Sequence, residues 1–344
     1  MKKVFIEVYP YHSETLYPYA DAIGGPEDIV LYNPTSQGKD VLARLHMRHA
    51  DFSIKRLIKI LWREKISEVH INSISVNLHG RNWAPWRKAF AIVSIPYICR
   101  LFGVSVFGIA HEADQYFATP VSLNRRHNLY RKYYGRFHKR LFSDVYVLAP
   151  EIKNYIAEHG GSVSVMSTRS LTKLSAVNVD KRPGLTLAWI GAMDSQRRNW
   201  QGLYEIDAGL LSKTQILFDM ICDIRAAKGP DFEEKIGSLG ISHGFFFRRY
   251  RPDDEELFAA VKACDIVVGF YAHESYGKVK TSGARHIALA FDKPVLVYQD
   301  GHYQLIGSEG VATIKSTDIN QLLERAVQLQ NDEQATLKQV GLSS

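Results

Sequence analysis

The chain has 344 residues, more than a single hydrophobic core usually organises, so we expect two domains. Hydrophobic residues make up 46% and charged residues 23% of the sequence, values that exclude a disordered or fibrous chain. The formal net charge of +7 is equalled by one segment, residues 125–140, which holds seven Lys or Arg and no acid. The excess positive charge therefore points to one local surface.

Three features of the sequence indicate the cellular compartment in which the protein works. The cysteines are odd in number and far apart, which matches neither a disulfide framework nor a zinc spacing; they are Cys99, Cys222 and Cys264. The short apolar run Val4–Val8 lacks the long apolar region and cleavage site of a secretion signal. The longest apolar stretch, Ala89–Ala110, is interrupted by a proline, an arginine and a glycine, which favours a helix and a strand over a membrane span. We expect a cytoplasmic protein that does not cross a bilayer.

Short apolar runs alternate with helical patterns in the first half of the chain. The predicted strands are Val4–Val8, Asp28–Tyr32, Glu68–Asn72, Val104–Ile109 and Asp144–Leu148. The predicted helices are Ser53–Lys65, a helix around Trp86–Phe102, the basic segment 125–140, and a helix that begins after Pro150 and ends at Gly160. Such alternation predicts a parallel, doubly wound sheet.

The second half repeats this rhythm after a stretch, Thr168–Gly184, that lacks a strong period. Its predicted strands are Leu185–Ile190, Gln215–Cys222, Ser242–Phe247, Asp265–Phe270 and Pro294–Tyr298, with a last helix from near Asp318. We therefore predict an α/β protein with one Rossmann-like domain over residues 1–167, a linker over 168–184 and a second Rossmann-like domain over 185–344. The final helix is able to pack back on the first domain. Two such sheets face a central cleft, where open α/β sheets bind ligands.

The most informative block, Ala263–Val297, reads as strand, loop, helix and strand. Its polar residues are Glu274, Lys278 and Lys280 in the loop, with Ser282 and Gly283 where the next helix begins. A helix N-terminus with nearby lysines attracts a phosphate, and a carboxylate accepts hydrogen bonds from sugar hydroxyls. The pattern is typical of a nucleotide-sugar site. The alternative is that the serine only caps the helix and the lysines are solvated.

This block resembles the donor-site motif of the family-4-like GT-B glycosyltransferases, also called glycosyl transferases group 1. The shared elements are Asp265, Glu274 with Gly277, Ala288–Ala290, and Lys293 with Pro294 and Val295. One position departs from the family, because Ser282 stands where a second glutamate usually holds the ribose. The resemblance implies a GT-B fold, a nucleotide-diphosphate sugar as co-substrate, no other cofactor and no metal.

Two further segments of the second domain resemble the same family. In Gly244–Leu257 the strand, turn and helix start that usually face the nucleotide base would place Arg249 and Tyr250 near that base. A simple helix cap with surface arginines is the alternative.

The segment Leu187–Trp200 resembles the family's strand that ends in glycine and precedes a cationic loop. Gly191 permits a close approach to the backbone, and Arg197 or Arg198 is the candidate to neutralise the departing diphosphate. An arginine suits this role because its planar donors bind a phosphate at two points.

In the first domain, the predicted strand from Val104 is followed by His111, Glu112 and Asp114. It resembles the family's strand that ends in a histidine beside the reaction centre, so these three residues are candidates to orient the acceptor or the donor sugar. If the reaction inverts the anomeric centre, one carboxylate here deprotonates the acceptor hydroxyl; a retaining reaction needs no dedicated base. A purely structural histidine is the alternative.

The loop after the first strand, Tyr9–Thr15, is rich in groups that stack on or hydrogen-bond a saccharide. Its Tyr11, His12 and Glu14 are therefore candidate acceptor-binding residues. In the family the corresponding loop often contacts the acceptor or the donor phosphate.

On a helix, the basic segment 125–140 has an apolar ridge, formed by Leu129, Tyr133, Phe137 and the adjoining Leu141, beside its cationic face. Such a helix is attracted to anionic lipid headgroups and would hold an enzyme beside a lipid-linked acceptor. A solvated helix face and a nucleic-acid patch are the alternatives.

Together these patterns predict transfer of a sugar to a saccharide or lipid-linked acceptor, in synthesis of a cell-surface polysaccharide or lipopolysaccharide. The enzyme would lie in the cytoplasm or peripherally on the inner face of the cell membrane. Three alternatives stay open: a nucleotide-sugar epimerase of the GT-B fold, a nucleic-acid-binding or DNA-modifying protein that uses residues 125–140, and a non-catalytic binding subunit.

Overall fold

A computed structural model describes two compact units; among the described residues, those up to 166 form the first unit and those from 173 onward form the second. The described residues are 1–8, 13–35, 39–74, 93–111, 113, 116, 138–166, 173, 180–191, 193, 198–222, 229–248, 250, 252–270, 283–298 and 313–339. The finer domain limits given above stay predictions.

The first unit is built on a seven-stranded sheet in which all described pairs are parallel. Its strands are β1 (Lys2–Glu7), β2 (Ile29–Tyr32), β3 (Arg48–Asp51), β4 (Ile66–Asn72), β5 (Ser105–Ala110), β6 (Asp144–Val147) and β7 (Ser164–Val165). The spatial order is β3-β2-β1-β4-β5-β6-β7. The order reverses between β1 and β4, which is the kind of switch point at which open α/β sheets bind ligands.

Helices cover both faces of this sheet. They are α1 (Ser13–Ile23), α2 (Lys39–Ala43), α3 (Ile54–Arg63), α4 (residues 93–101) and α5 (Pro150–Glu158). The helix α3 begins where expected, because the Ser53 side chain accepts a hydrogen bond from the Arg56 N–H. Leu57 and Leu61 of α3 belong to one hydrophobic core with Ile95 and Cys99 of α4. The helices α3 and α4 therefore share one face of the sheet.

The predicted loop Tyr9–Thr15 is shorter than expected, because α1 already begins at Ser13. Pro18 lies inside α1. Because proline normally breaks a helix, the sequence did not indicate a helix here. Buried side chains dock the helix nevertheless; they include Leu16, Tyr17, Tyr19 and Ala20. The helix α2 and the strand β3 were not predicted either.

The basic segment 125–140 is described only at its end. There His138–Leu141 form a 3-10 turn rather than the last turn of the predicted α-helix. The reason is that the chain enters the sheet directly afterwards, with the Ser143 N–H donating to the Val106 carbonyl at 2.6 Å. The rest of the segment, with Leu129, Tyr133 and Phe137 of its apolar ridge, lies outside the described residues.

The second unit contains a six-stranded sheet with the order β10-β9-β8-β11-β12-β13, and all described pairs are again parallel. Its strands are β8 (Leu185–Ile190), β9 (Ile216–Ile221), β10 (Phe245–Phe247), β11 (Ile266–Phe270), β12 (Val295–Tyr298) and β13 (Thr313–Ser316). The strand predicted over Ser242–Phe247 is too long, because Ser242–Gly244 form a 3-10 turn that leads into β10. The strand β13 was not predicted.

The described α-helices of the second unit are α6 (Ala208–Thr214), α7 (Gly229–Ser238), α8 (Asp254–Ala263), α9 (Gly283–Ala290) and α10 (Ile319–Gln339). Caps are recognisable at the starts of α8 and α10. At α8, Asp253 and Glu256 satisfy each other's backbone N–H groups in a capping box. At α10, Asp318 accepts hydrogen bonds from the Asn320 and Gln321 N–H groups, so this helix begins where it was predicted.

Two parallel, doubly wound sheets confirm the predicted α/β class. All three cysteines are buried and form no disulfide bond. None of the helices within the described residues combines the length and the apolar character needed to cross a bilayer.

Candidate active site

Gly191 follows β8 in a backbone conformation that favours glycine, with φ at +99°. A Cβ atom at this position would lie 2.8 Å from Nη2 of Arg198, so the missing side chain also lets the guanidinium approach the backbone. The Trp189 indole N–H donates to the Gly191 carbonyl at 3.2 Å. The two predicted donor-site residues Gly191 and Arg198 thus lie together at the carboxyl end of β8.

One backbone hydrogen bond connects the segment after β8 to the end of β11. The Asn199 N–H donates to the Phe270 carbonyl at 3.1 Å. Since β8 and β11 are neighbouring parallel strands, their carboxyl ends lie at the same edge of the sheet. Phe270 is the last residue of β11, and the loop predicted to bind the donor departs from it. Arg198, next to Asn199, therefore lies beside the start of that loop.

The donor loop itself lies outside the described residues. This applies to the predicted residues Glu274, Lys278, Lys280 and Ser282, and also to Arg197 and Arg249. Gly283 is the first residue of α9, as the sequence predicted for the helix that ends the loop.

The first turn of α9 holds two buried polar residues that sequence reasoning did not single out, Arg285 and His286. Burial and the neighbouring Arg285 charge lower the pKa of His286 to about 3. The positive charge of Arg285 and the helix dipole both attract an anion at this end of α9. These two residues could have been found from the sequence, because they form a pair of basic residues at the start of an otherwise apolar helix.

The turn after β10 separates a partly buried arginine from an exposed tyrosine. Tyr250 is 47% exposed, and its hydroxyl donates to Glu256 at 3.3 Å. Arg248 binds the buried carboxylate of Asp219 at two points, Nε to Oδ1 at 3.1 Å and Nη2 to Oδ2 at 2.8 Å. The pair was not predictable from the sequence, because nothing local links a residue of β9 to one that follows β10.

In the first unit, a row of polar side chains lies at the carboxyl ends of β1, β4 and β5. The His111 Nε2 atom lies 2.9 Å from Oδ1 of Asn72, and both side chains are buried. Asn72 pairs in register with Glu7, which is fully buried, so their side chains share one face of the sheet. With an amide oxygen as acceptor, Nε2 carries the proton of the neutral ring.

Of this row, only His111 was predicted. Glu7 and Asn72 could have been found because each is a polar residue at the last position of an apolar strand. Glu112 and Asp114, the other two candidates beside His111, lie outside the described residues.

A histidine stacked between two phenylalanines forms the next row on the same face. The His70 ring lies 5.0 Å from the Phe5 ring and 4.8 Å from the Phe107 ring. Its Nδ1 accepts from the Tyr19 hydroxyl at 2.8 Å, and its Nε2 lies 3.0 Å from Glu68. Burial lowers the pKa of His70 to about 4, so the ring is neutral at physiological pH. Tyr19 belongs to α1, and this contact fixes the helix that follows the predicted acceptor loop.

The acceptor-binding prediction is described only in part. Tyr11 and His12 lie outside the described residues, and Glu14 lies in the first turn of α1. The Asn33 amide donates to the Val8 carbonyl, which holds the chain where it leaves β1. Among the described residues, no three His, Cys, Asp or Glu side chains are grouped so that they could hold a metal ion.

No protein-family model matches this sequence, and no curated protein sequence does either. Solved structures, in contrast, resemble the chain over nearly its full length. HepE of Anabaena, solved in complex with UDP, is 14% identical with a TM-score of 0.62, covering 95% of this chain and 90% of that one.

Two further structures give similar values. A glycosyltransferase from Rickettsia africae is 12% identical with a TM-score of 0.58, over 96% of this chain and 88% of that one. The UDP-GlcNAc 2-epimerase of Methanocaldococcus jannaschii is 11% identical with a TM-score of 0.55, over 95% and 92%. Together with the two parallel sheets, these similarities show that the chain has the GT-B fold.

Proposed function

We propose that this protein transfers a sugar from a nucleotide-diphosphate sugar to an acceptor hydroxyl. The observation that carries the proposal is the hydrogen bond from Asn199 to Phe270, which holds Arg198 beside the start of the loop with Glu274. Similarity in fold to a glycosyltransferase and to a protein that binds UDP supports it.

The proposed donor site lies at the carboxyl edge of the second sheet. A guanidinium such as that of Arg198 binds a diphosphate through paired hydrogen bonds and stabilises the negative charge that develops as the sugar leaves. The start of α9 adds positive potential there, and we expect the loop residues Lys278 and Lys280 to add to it. Glu274 would accept hydrogen bonds from the sugar hydroxyls. These side chains supply the charge compensation, so we propose a metal-independent reaction.

We assign the acceptor to the first unit, at the row that contains His111. Asn72 orients this ring, and a neutral imidazole can accept a hydrogen bond from the acceptor hydroxyl through Nδ1. The acceptor is proposed to be a saccharide or a lipid-linked sugar of a cell-surface polysaccharide or lipopolysaccharide. Such an acceptor implies a cytoplasmic enzyme that works at the inner face of the membrane.

A nucleotide-sugar epimerase is the second candidate, because one similar structure is named as such an enzyme. Incubation with the donor alone separates the two functions. An isomerised sugar released without any acceptor would support the epimerase, whereas product formation only with an acceptor supports sugar transfer.

A thermal-shift screen against UDP-, GDP-, CMP- and dTDP-sugars identifies the donor, because a ligand that binds only the folded state raises its melting temperature. With that donor, we expect Glu274→Gln to abolish transfer and to leave the melting temperature of the unliganded protein unchanged. Glu234→Gln, at an exposed position of α7, serves as the matched control and should retain full activity. Full activity of the Glu274 variant would contradict the site assignment.

A further inference from the structure

The helix α3 exposes two large hydrophobic side chains to solvent. Leu57 and Leu61 are buried, whereas Ile58 is 38% exposed and Trp62 is 79% exposed. Ile58 and Trp62 lie four residues apart, so they occupy the same outer face of the helix. A surface tryptophan with this exposure needs an explanation, because burying it is strongly favourable.

The helix α4 extends this hydrophobic surface. Its Tyr97 is 40% exposed, and Leu101 at its end is 86% exposed. The Trp62 ring meets the Phe102 ring edge to face, with the centroids 6.4 Å apart. We use the name α3–α4 surface for the exposed side chains of Ile58, Trp62, Tyr97 and Leu101. Since the Trp62–Phe102 contact joins the two helices, these residues form one apolar surface.

Positive charge surrounds the apolar side chains. The exposed bases are Lys55, Arg56, Lys59 and Arg63 on α3 and Arg100 on α4. The helix α3 contains no acid, and Glu64, directly after it, is already bonded to Lys2 and Arg48. The Arg100 guanidinium donates to the backbone oxygens of Arg140 at 3.1 Å and Leu141 at 3.4 Å. The surface thereby adjoins the end of the basic segment 125–140.

We propose that the α3–α4 surface binds the headgroup region of an anionic lipid bilayer. Tryptophan prefers the membrane–water interface, and the exposed Ile58 and Leu101 can enter the boundary between headgroups and acyl chains. Each base near the surface adds attraction to anionic lipid. The two helices would lie in the plane of the interface, since over their described residues neither is long enough and apolar enough to span it.

Aliphatic exposure favours a bilayer over nucleic acid. A protein binds single-stranded nucleic acid by stacking its bases on aromatic rings, whereas the α3–α4 surface presents the aliphatic Ile58 and Leu101 beside Trp62 and Tyr97. These residues differ from the segment 125–140, so the proposal does not need that segment to form a helix. It also stands apart from sugar transfer, because binding to vesicles is measured without donor or acceptor.

Cosedimentation of the full chain with vesicles tests the proposal. We expect binding to vesicles of phosphatidylcholine mixed with phosphatidylglycerol, and much weaker binding to phosphatidylcholine alone. Replacing Trp62 and Leu101 by serine together should lower the partition coefficient at least about tenfold, through lost burial of apolar surface. Lys55→Gln with Lys59→Gln should lower it about 25-fold at low salt, or roughly fivefold for each charge.

Two substitutions in the second unit, with the same change of charge, serve as the control for vesicle binding. Lys213→Gln with Lys262→Gln, at exposed lysines of α6 and α8, should leave vesicle binding unchanged. The native chain should also lose fluorescence with brominated lipid, and Trp62→Phe should lose most of that quenching while it still binds. Thermal melting verifies that each variant is folded.

Three results would overturn the proposal. The first is equal binding of the native chain and the Trp62/Leu101 double variant to anionic vesicles. The second is binding of single-stranded DNA, but not vesicles, that depends on Trp62. The third is a dimer in solution that the double variant dissociates, which would make the surface a contact between two copies of the chain.

Discussion

The Nε2 atom of His111 lies 2.9 Å from Oδ1 of Asn72, with both side chains buried at the carboxyl ends of their strands. Asn72→Ala removes this acceptor, so we expect the free energy of unfolding to fall by about 1–3 kcal/mol. In a double-mutant cycle, His111→Ala should cost less in the Asn72→Ala background than in the native protein. Denaturant titration measures both effects, and strictly additive losses would show that the contact contributes nothing.

Gly191→Ala should weaken donor binding, because an added Cβ would displace the Arg198 guanidinium. The positive φ adds backbone strain of about 1–3 kcal/mol. Gly240→Ala is the matched control, since Gly240 has φ +71° and open space where its Cβ would stand. Both variants should melt at lower temperature, but only Gly191→Ala should raise the dissociation constant of the nucleotide in calorimetry. An equal loss of nucleotide affinity in the Gly240 variant would show that displacement of Arg198 is not the cause.

Arg248→Met should destabilise the second unit by about 3–5 kcal/mol, because it leaves the buried carboxylate of Asp219 without its partner. The double variant Asp219→Leu with Arg248→Met should recover most of that loss, since no buried charge remains. Lys181→Met breaks the Lys181–Asp265 pair, whose lysine is 59% exposed, and should cost less than about 1 kcal/mol. Urea titration compares the variants, and a double variant as unstable as Arg248→Met would contradict this account.

Acid should destabilise the first unit through His70. Its pKa is lowered by burial to about 4 in the folded protein, below the ordinary value of 6.5. The unfolded state therefore binds a proton first as the pH falls. The stabilising contribution is complete above about pH 6.5 and is lost progressively between about 6.5 and 4, on the order of 3 kcal/mol in total.

Unfolding titrations across this pH range check the His70 prediction. His70→Gln should show a smaller decrease in the free energy of unfolding than the native protein. His286, whose pKa is lowered to about 3, accounts for part of the remaining dependence. An unaltered slope in the His70 variant would refute the assignment.

Buried strands were predictable from the sequence, whereas the edge strands β3 and β13 were not. All six residues of β8 are buried, and a strand covered on both faces reads as a continuous apolar run. In contrast, β3 and β13 lie at sheet edges, and the sequence Arg48–Asp51 has no apolar run to signal a strand. The helix α1 was missed for another reason, because Pro18 argues against a helix that tertiary packing nevertheless stabilises.

Within the candidate site, the position of a residue could be predicted better than its partners. His111 and Gly191 follow apolar strands, so their place at a sheet edge follows from local pattern. The partner of His111 is Asn72, which is 39 residues away, and only the order of strands in the sheet brings the two together. The same holds for Asp219 and Arg248, on or beside the adjacent strands β9 and β10.

The first strand of each unit lies inside its sheet. This strand order constrains how the sheet forms during synthesis and where the chain can be circularly permuted. When β1 leaves the ribosome both of its edges are unpaired, and they are covered only when β2 and β4 have been made. The strand β8 likewise waits for β9 and β11. Removing β1 or β8 would split a sheet into two separate pieces, whereas removing β13 would only shorten one. A circular permutant whose new first residue lies beside an edge strand should therefore still fold. A permutant whose new termini separate β8 from β9 or β11 should not.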